Sequence, residues 1–498
     1  MSRRRKILII AGIVLGVAIL IPVIRHYQLR AATEAYIAQL KAQGEPMELA
    51  QVIPQPVPPE QNGVPFITNA LADLEYDSIA VTNAPPAMCM VVPGKAMVGW
   101  QQSDITDIQW ATNTWEELGR ELTAVNNDLV SFQSLTNHPV LDFGLDYQKG
   151  FDMPVPYLMS LKRSVQWLSA SVLYNLHQGE PKDACADVRV MLAIVKGETD
   201  ERTLISQLVR IALASISANA TWEILQDPKA SDSDLAQLQR DWQSMEFVSP
   251  LEQTMLLERV SNLHEFEQIR ESSEKFDKLW GYFYGPKASL TSDSKRSLFL
   301  RKWDEIRWRW FWSYPDELYG LQELQVVIEA ARMAETNRSF QSTELFLNTN
   351  FTQRNRKQGS VDGLRGVFSA NGSGAALRKA ARAQTARNVI VTAIALKRYE
   401  LEHQQLPNTL DELIPEFLKS IPTDYMDGQP LRYRRNGDGT FLLYSVGENG
   451  LDDGGNPAFP KYVQSSSYYW QNPQALDWVW PQPASPAEIL NYYAHPPK

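Results

Sequence analysis

From Ile7 to Ile24 the chain reads ILIIAGIVLGVAILIPVI, 18 residues without a charge. As a helix this run spans about 27 Å, close to the roughly 30 Å hydrocarbon core of a bilayer. A helix that is apolar on every side belongs in lipid or deep in a protein core, because water offers its surface nothing. Arg3, Arg4, Arg5 and Lys6 stand immediately before the run. Positive charge at that position is held in the cytoplasm, which sends everything beyond Ile24 across the membrane. The competing reading is a cleaved signal peptide, which also opens with basic and then apolar residues. Against it, the run is longer than a usual signal core, and Arg25-His26-Tyr27-Gln28-Leu29-Arg30 lacks a small-x-small cleavage pattern. Pro22 sits near the outer end of the span, where water can replace the backbone bond that proline removes.

The expected location is therefore a cytoplasmic (inner) membrane, crossed once, with the N-terminus in the cytoplasm and the bulk of the chain extracytoplasmic. The chain has 498 residues and a net charge of -10, and the first 30 residues hold six basic side chains and no acid, leaving -16 on the rest. An acidic body repels phosphate backbones, which excludes nucleic acid as a partner class. With 44% apolar and 21% charged residues the chain is globular in composition, and its length predicts two or three packed units. Cys89 and Cys185 are the only cysteines, which allows one disulfide at most and excludes a cysteine-ligated zinc finger. Their ordinary reading is two buried free thiols.

Beyond the span, Ala31 to Lys41 reads as a helix continuing into solvent, and Val52-Ile53-Pro54-Gln55-Pro56-Val57-Pro58-Pro59 as an extended spacer between anchor and body. Residues 66–150 give mixed signals. From Pro154 the pattern is helical: Leu161, Val165, Leu168, Val172, Leu173 and Leu176 recur at steps of three or four. Gly179-Glu180-Pro181 ends that helix. A second carries Ala184, Cys185, Val188, Met191, Leu192 and Val195 to Gly197, and a third presents Leu204, Ile205, Leu208 and Ile211. Short turns between amphipathic helices predict an irregular bundle; a tetratricopeptide-like stack is the alternative, although no 34-residue period repeats. Further helices are expected over 250–283 and 290–340, and the polar stretch from Asn348 to Ala375 reads as a linker.

Trp303, Trp308, Trp310, Phe311, Trp312 and Tyr314 crowd into a dozen residues, alternating with Arg307 and Arg309. Helical core, an interfacial belt and a glycan platform are all consistent with that pattern. The sequence contains no G-x-S-x-G, P-loop, G-x-G-x-x-G or H-E-x-x-H. Ser272 to Lys275 and Ser292 to Lys295 match S-x-x-K without the partner motifs, and His264-Glu265 is followed at 268 by Gln instead of His. The six histidines are scattered and show no metal-ligand spacing.

Near the C-terminus the elements follow a set order. A helix through Ala386, Val389, Ile390, Ala393, Ile394, Leu396 and Tyr399 leads into Leu406-Pro407 and Thr409-Leu410-Asp411-Glu412-Leu413. Then come Pro422-Thr423-Asp424 with Asp427-Gly428-Gln429-Pro430-Leu431-Arg432-Tyr433, and a hairpin over 431–446 turned by Asn436-Gly437-Asp438-Gly439. The order closes with Tyr444-Ser445, Asn449-Gly450 and Asp452-Asp453-Gly454-Gly455. Over residues 386–455 this set resembles the globular head of the type II secretion major pseudopilin. That resemblance implies a calcium ion in the last loop, held by Ser445, Asn449, Asp452 and Asp453, and a partner in a secretion or pilus-like system. Closely spaced Asp and Asn with glycine-permitted carbonyls suit a hard cation that wants six to eight oxygens; a solvated acidic turn is the ordinary alternative. The chain departs from that family in its apolar span, which lies over 350 residues upstream of the matching segment and follows no prepilin-peptidase site.

The expected fold is mainly α: an N-terminal transmembrane helix, an irregular helical bundle, then a small α+β pseudopilin-like head with an antiparallel hairpin. The units are 1–30, basic start and anchor; 31–65, stalk and Pro-rich spacer; 66–347, helical domain; 348–374, linker; 375–460, α+β head; and 461–498, an aromatic and Pro-rich tail. The functional expectation is a membrane-anchored interaction or scaffolding protein of the cell envelope, bound to the membrane through its N-terminal helix and to another envelope protein. The other class is an envelope hydrolase acting on peptide or glycan.

Overall fold

The apolar run forms the first half of α1 (Arg3–Ala42), a helix of 40 residues with Pro22 inside it, in a computed structural model that describes residues 3–106, 112–284, 294–358, 371–459 and 470–495. The second half of α1 changes character. Leu29, Thr33, Tyr36, Ile37 and Leu40 recur at helical spacing as a half-buried to buried stripe, which is the pattern of a helix lying on protein. The stalk expected over 31–65 is thus no spacer: Leu40, Met47 and Val52 are buried. Glu45 reaches Arg259 at 3.0 Å and Arg332 at 2.5 Å, and Arg202 Nη1 donates to the Val52 carbonyl at 2.7 Å. The prolines follow a segment already fastened to the body.

The bundle begins with α2 (Val64–Asp73) and α3 (Trp115–Ala124), then α4 (Tyr157–Gln178), α5 (Pro181–Gly197), α6 (Leu204–Leu225) and α7 (Asp232–Gln243). The buried faces of α4 and α5 are those expected from their spacing. Gly179, at φ 79°, ends α4 in the left-handed conformation that costs glycine little, and Pro181 opens α5. A connection this short can only fold α5 back alongside α4. Helix α6 corrects the expected apolar face. Ile205 is 54% exposed and Leu204, Leu208 and Ile211 are half-buried, whereas Ser206, Gln207 and Arg210 are buried. Gln207 and Arg210 satisfy carbonyls left open where α5 ends, Gln207 Nε2 donating to the carbonyls of Glu198 and Glu201 and Arg210 Nε to that of Val195, while the Ser206 hydroxyl bonds the Glu201 carboxylate. Helix α6 is also long and apolar enough to cross a membrane by length and composition, but half of that stretch is buried among α4, α5 and later helices.

A second helical layer contains α8 (Ser249–Glu271) and α11 (Ser313–Asn337), which pack along each other, with α9 (Ser273–Tyr284) and α10 (Ser294–Phe311) between them in sequence. Contacts of Thr33 with Tyr314 and of Glu45 with Arg332 show that α11 runs parallel to the second half of α1. Next is α12 (Gln341–Gln358), so residues expected to begin the linker are helical; Asn371 to Gly374 begin α13 (Asn371–His403), and the intervening 359–370 lie outside the described residues.

The strands make small sheets. In the first, β1 (Cys89–Val92) pairs antiparallel with β2 (Lys95–Met97), within the stretch that gave mixed sequence signals. Strands β3 (Ile105–Thr106) and β4 (Thr112–Asn113) form a separate short pair. The expected hairpin is β5 (Arg432–Arg435) with β6 (Phe441–Ser445), in the register Arg432 opposite Tyr444 and Arg435 opposite Phe441. The segment expected as a tail is structural. Its β7 (Trp478–Val479) adds to β6, and β8 (Gln482–Pro483) adds parallel to β2, before α14 (Pro486–Ala494). Trp222, fully buried on α6, donates to the Pro481 carbonyl between those two strands. Helix α13 lies against α6 and α7 as well as β6, and one buried apolar cluster runs from Val52 to Trp480. The 66–347 and 375–460 units therefore share a core.

Candidate functional site

The loop after β6 owes its path to four glycines, Gly447, Gly450, Gly454 and Gly455, all at positive φ. At Gly455 a Cβ would stand 2.4 Å from a Leu442 methyl, so the close approach to β6 also needs glycine. Within this loop the candidate ligands divide. Asn449 Nδ2 donates to Asp453 Oδ2 at 2.9 Å, and Asp452 lies between them in sequence; these are the exposed members. Ser445 is fully buried and turns the other way, donating to Asp424 Oδ1 at 2.8 Å. The structure thus pairs Asn449 with Asp453, turns Asp452 toward Tyr444 and Arg432, and leaves Ser445 on the far side of the strand.

Charges around the loop are already paired. Asp452 Oδ1 accepts from the Gly454 amide at 3.0 Å and the Tyr444 hydroxyl at 2.9 Å, while Arg432 Nε stands 3.5 Å from Oδ2. The Gly454 amide, with Tyr444 and Arg432 behind it, holds the Asp452 carboxyl below the ordinary range. Arg432 also binds Asp427 and reaches Asp424 at 3.0 Å, bridging the acids of this segment. Asp424 is fully buried; burial raises its carboxyl to about 6 against the amides of Val446 and Met426 and the Ser445 hydroxyl. Its bonds to Met426 and Val446 pin the turn before β5 to the end of β6.

Sequence reasoning missed Asp477. From the supposed tail it accepts the amides of Gly455 at 2.8 Å, Asn456 at 3.0 Å and Asp453 at 3.4 Å, clamping the loop from outside. Burial raises its carboxyl, and those amides oppose the rise. The signal lies in the pairing of β6 with β7, which no local pattern announces over two residues. Among the described residues, no group of three or more His, Cys, Asp or Glu side chains converges as a metal site.

Glu223 on α6 is wholly buried, and accepts the Met88 amide at 2.7 Å and the Gly99 amide at 3.0 Å; burial raises its carboxyl to about 8. It ties the β1–β2 region to the bundle. Ring nitrogens of His26, His138, His177 and His403 meet the carbonyls of Trp310, Glu60, Trp100 and Tyr399, and His264 meets Gln268. Ser272 accepts the Lys275 amide, and the Lys275 ammonium pairs with Asp152, so this S-x-x-K match is a helix start; Ser292 lies outside the described residues. Cys89 and Cys185 are free thiols, both raised by burial.

The aromatic segment splits between its readings. Trp308 is core, its indole donating to Asp316 at 2.9 Å, whereas Trp303, Trp310, Phe311 and Trp312 are 38 to 56% exposed. No family model, curated protein or solved structure matches this chain, so a reading of its function rests on its own residues.

Proposed function

We propose that this chain is a single-pass membrane protein of the cell envelope whose extracytoplasmic body serves interaction or scaffolding. One observation carries the reading: Ile9, Ile10, Ile13, Val14, Val17, Leu20, Ile21 and Ile24 are 47 to 62% exposed along a stretch with no charged residue from Ile7 to Ile24. Leaving such a surface in water would cost about 25 cal/mol for each Å² of it, and lipid removes that cost. The basic residues Arg3 to Lys6 set the direction, with the body outside.

Interaction is favoured over hydrolysis by the sequence, which carries neither a G-x-S-x-G nor an H-E-x-x-H motif. The body also carries open grooves of a kind suited to partner segments. One of about 510 Å³ is lined by Ile37, Lys41, Tyr147, Leu263, His264 and Glu267. A secretion or pilus-like partner is the class that the pseudopilin resemblance implies, and calcium at Asn449, Asp452 and Asp453 belongs to the same proposal. An ion there would have to compete with the Arg432 guanidinium for Asp452.

The anchoring reading is tested by fractionation. The full chain should stay in the membrane pellet through alkaline carbonate, and a chain lacking residues 3–24 should leave it. Full-length protein in the carbonate supernatant would refute the reading.

A further inference from the structure

On α10, Trp303, Ile306 and Trp310 are 56, 47 and 42% exposed and stand at i, i+3 and i+7, which places them on one stripe. Glu305 and Trp308 on the opposite side are buried, so the helix is fixed to the body by one face and presents an apolar face outward. Phe311, the last residue of the helix, and Trp312 just after it are exposed as well. The stripe is joined to α1 at a defined height. Trp310 packs against His26, with ring centres 4.8 Å apart and planes tilted by 45°, and its carbonyl meets His26 Nδ1 at 2.9 Å. His26 is two residues past Ile24, about 3 Å along the axis from the end of the uncharged run. Trp310 therefore sits where hydrocarbon gives way to headgroups, the layer that indole rings favour.

Charge points the same way. Helix α10 contains Lys295, Arg296, Arg301, Lys302, Arg307 and Arg309 against Asp304 and Glu305, in a chain whose net charge is -10. Arg301, Lys302 and Arg307 keep 42, 61 and 55% of their side chains exposed while pairing with Asp277, Glu305 and Asp304. An apolar stripe flanked by exposed basic side chains is the composition of a helix that lies in a membrane surface.

We infer that the Trp303–Ile306–Trp310 stripe of α10 rests on the anionic headgroup layer of the bilayer that α1 enters, and so fixes the tilt of the body over the membrane. The inference rests on the anchoring reading and goes beyond it by naming a second lipid contact, distant in sequence from the span.

The test uses the full chain with Cys89→Ala and Cys185→Ala, in vesicles of phosphatidylcholine with phosphatidylglycerol. A spin label is attached in turn through Leu20→Cys, Ile306→Cys or Leu490→Cys, all exposed positions. The ratio of oxygen to nickel-chelate collisions should be highest at 20 and lowest at 490. At 306 it should stand severalfold above 490, and fall when phosphatidylglycerol is left out. A ratio at 306 equal to that at 490, with 20 still in lipid, overturns the headgroup contact and leaves the anchor standing. A label at 306 shielded from both reagents marks a protein partner or a second copy, which also overturns it. A water-exposed label at 20 removes the anchor, and the contact with it.

Discussion

The two halves of α1 are one helix in two surroundings. Before Ile24 no charge interrupts the apolar sequence on any side of the axis, and Ile9, Ile10, Ile13, Val14, Val17, Leu20, Ile21 and Ile24 are exposed; after Arg25 the covered positions narrow to the stripe through Leu29, Thr33, Ile37 and Leu40. Backbone geometry does not separate the halves, since both belong to a single helical element. The difference lies in how apolar residues are distributed around the axis, which reports the solvent each half is built for. An all-round distribution suits lipid, and a stripe suits a protein neighbour.

If that contrast is right, substitutions in the halves should have opposite consequences. The largest expected effect is in the covered half: Leu40→Ala, at a side chain only 1% exposed, would leave a cavity against the body and should cost about 3 kcal/mol of stability. Thermal unfolding of the detergent-solubilised chain would report it as a melting temperature several degrees lower. Val14→Ala, on the exposed half, should leave the melting temperature of the body unchanged. Equal losses from both would break the comparison, because they would show the first half packed against protein.

Which parts of this were legible follows from the range of the forces involved. Helices α4 and α5 are local objects: apolar steps of three and four, Gly179 as a stop and Pro181 as a start. The hairpin of β5 and β6 is equally local, turned by Asn436 to Gly439. The misjudged segments are held by distant partners. Val52 stands before a proline-rich stretch, yet Arg202 and the Glu45 ion pairs fasten that region across 150 residues of sequence or more. Gln207 and Arg210 look like a solvated face until the open carbonyls of the preceding helix are placed beside them. The final segment reads as a tail because strands of two residues carry no periodicity. In the candidate loop the sequence places Asn449, Asp452 and Asp453 within five residues, but the turn of Asp452 toward Arg432, the clamp of Asp477 and the inward turn of Ser445 depend on strand pairing.

The smallest expected effect concerns that loop, where the same contrast between partnered and open groups recurs on a smaller scale. Asp424 and Asp477 are saturated by amides, while Asn449 and Asp453 remain at the surface. A calcium ion bound there should raise the melting temperature slightly, since Asp477 and Arg432 already order the loop and a ligand adds RT ln(1 + [L]/Kd). The rise should vanish with Asp452→Ala and Asp453→Ala together. Identical melting curves in millimolar calcium and in chelator would remove the ion and leave a glycine-rich turn clamped by Asp477.

The central claim is that the first half of α1 crosses a membrane and carries the body to the far side. A pair of reporters fused after Lys498, one active only outside the cytoplasm and one only inside, tests it most directly in intact cells. The external reporter should be active and the internal one silent, with the fusion protein at full length. Activity from the internal reporter alone would contradict it.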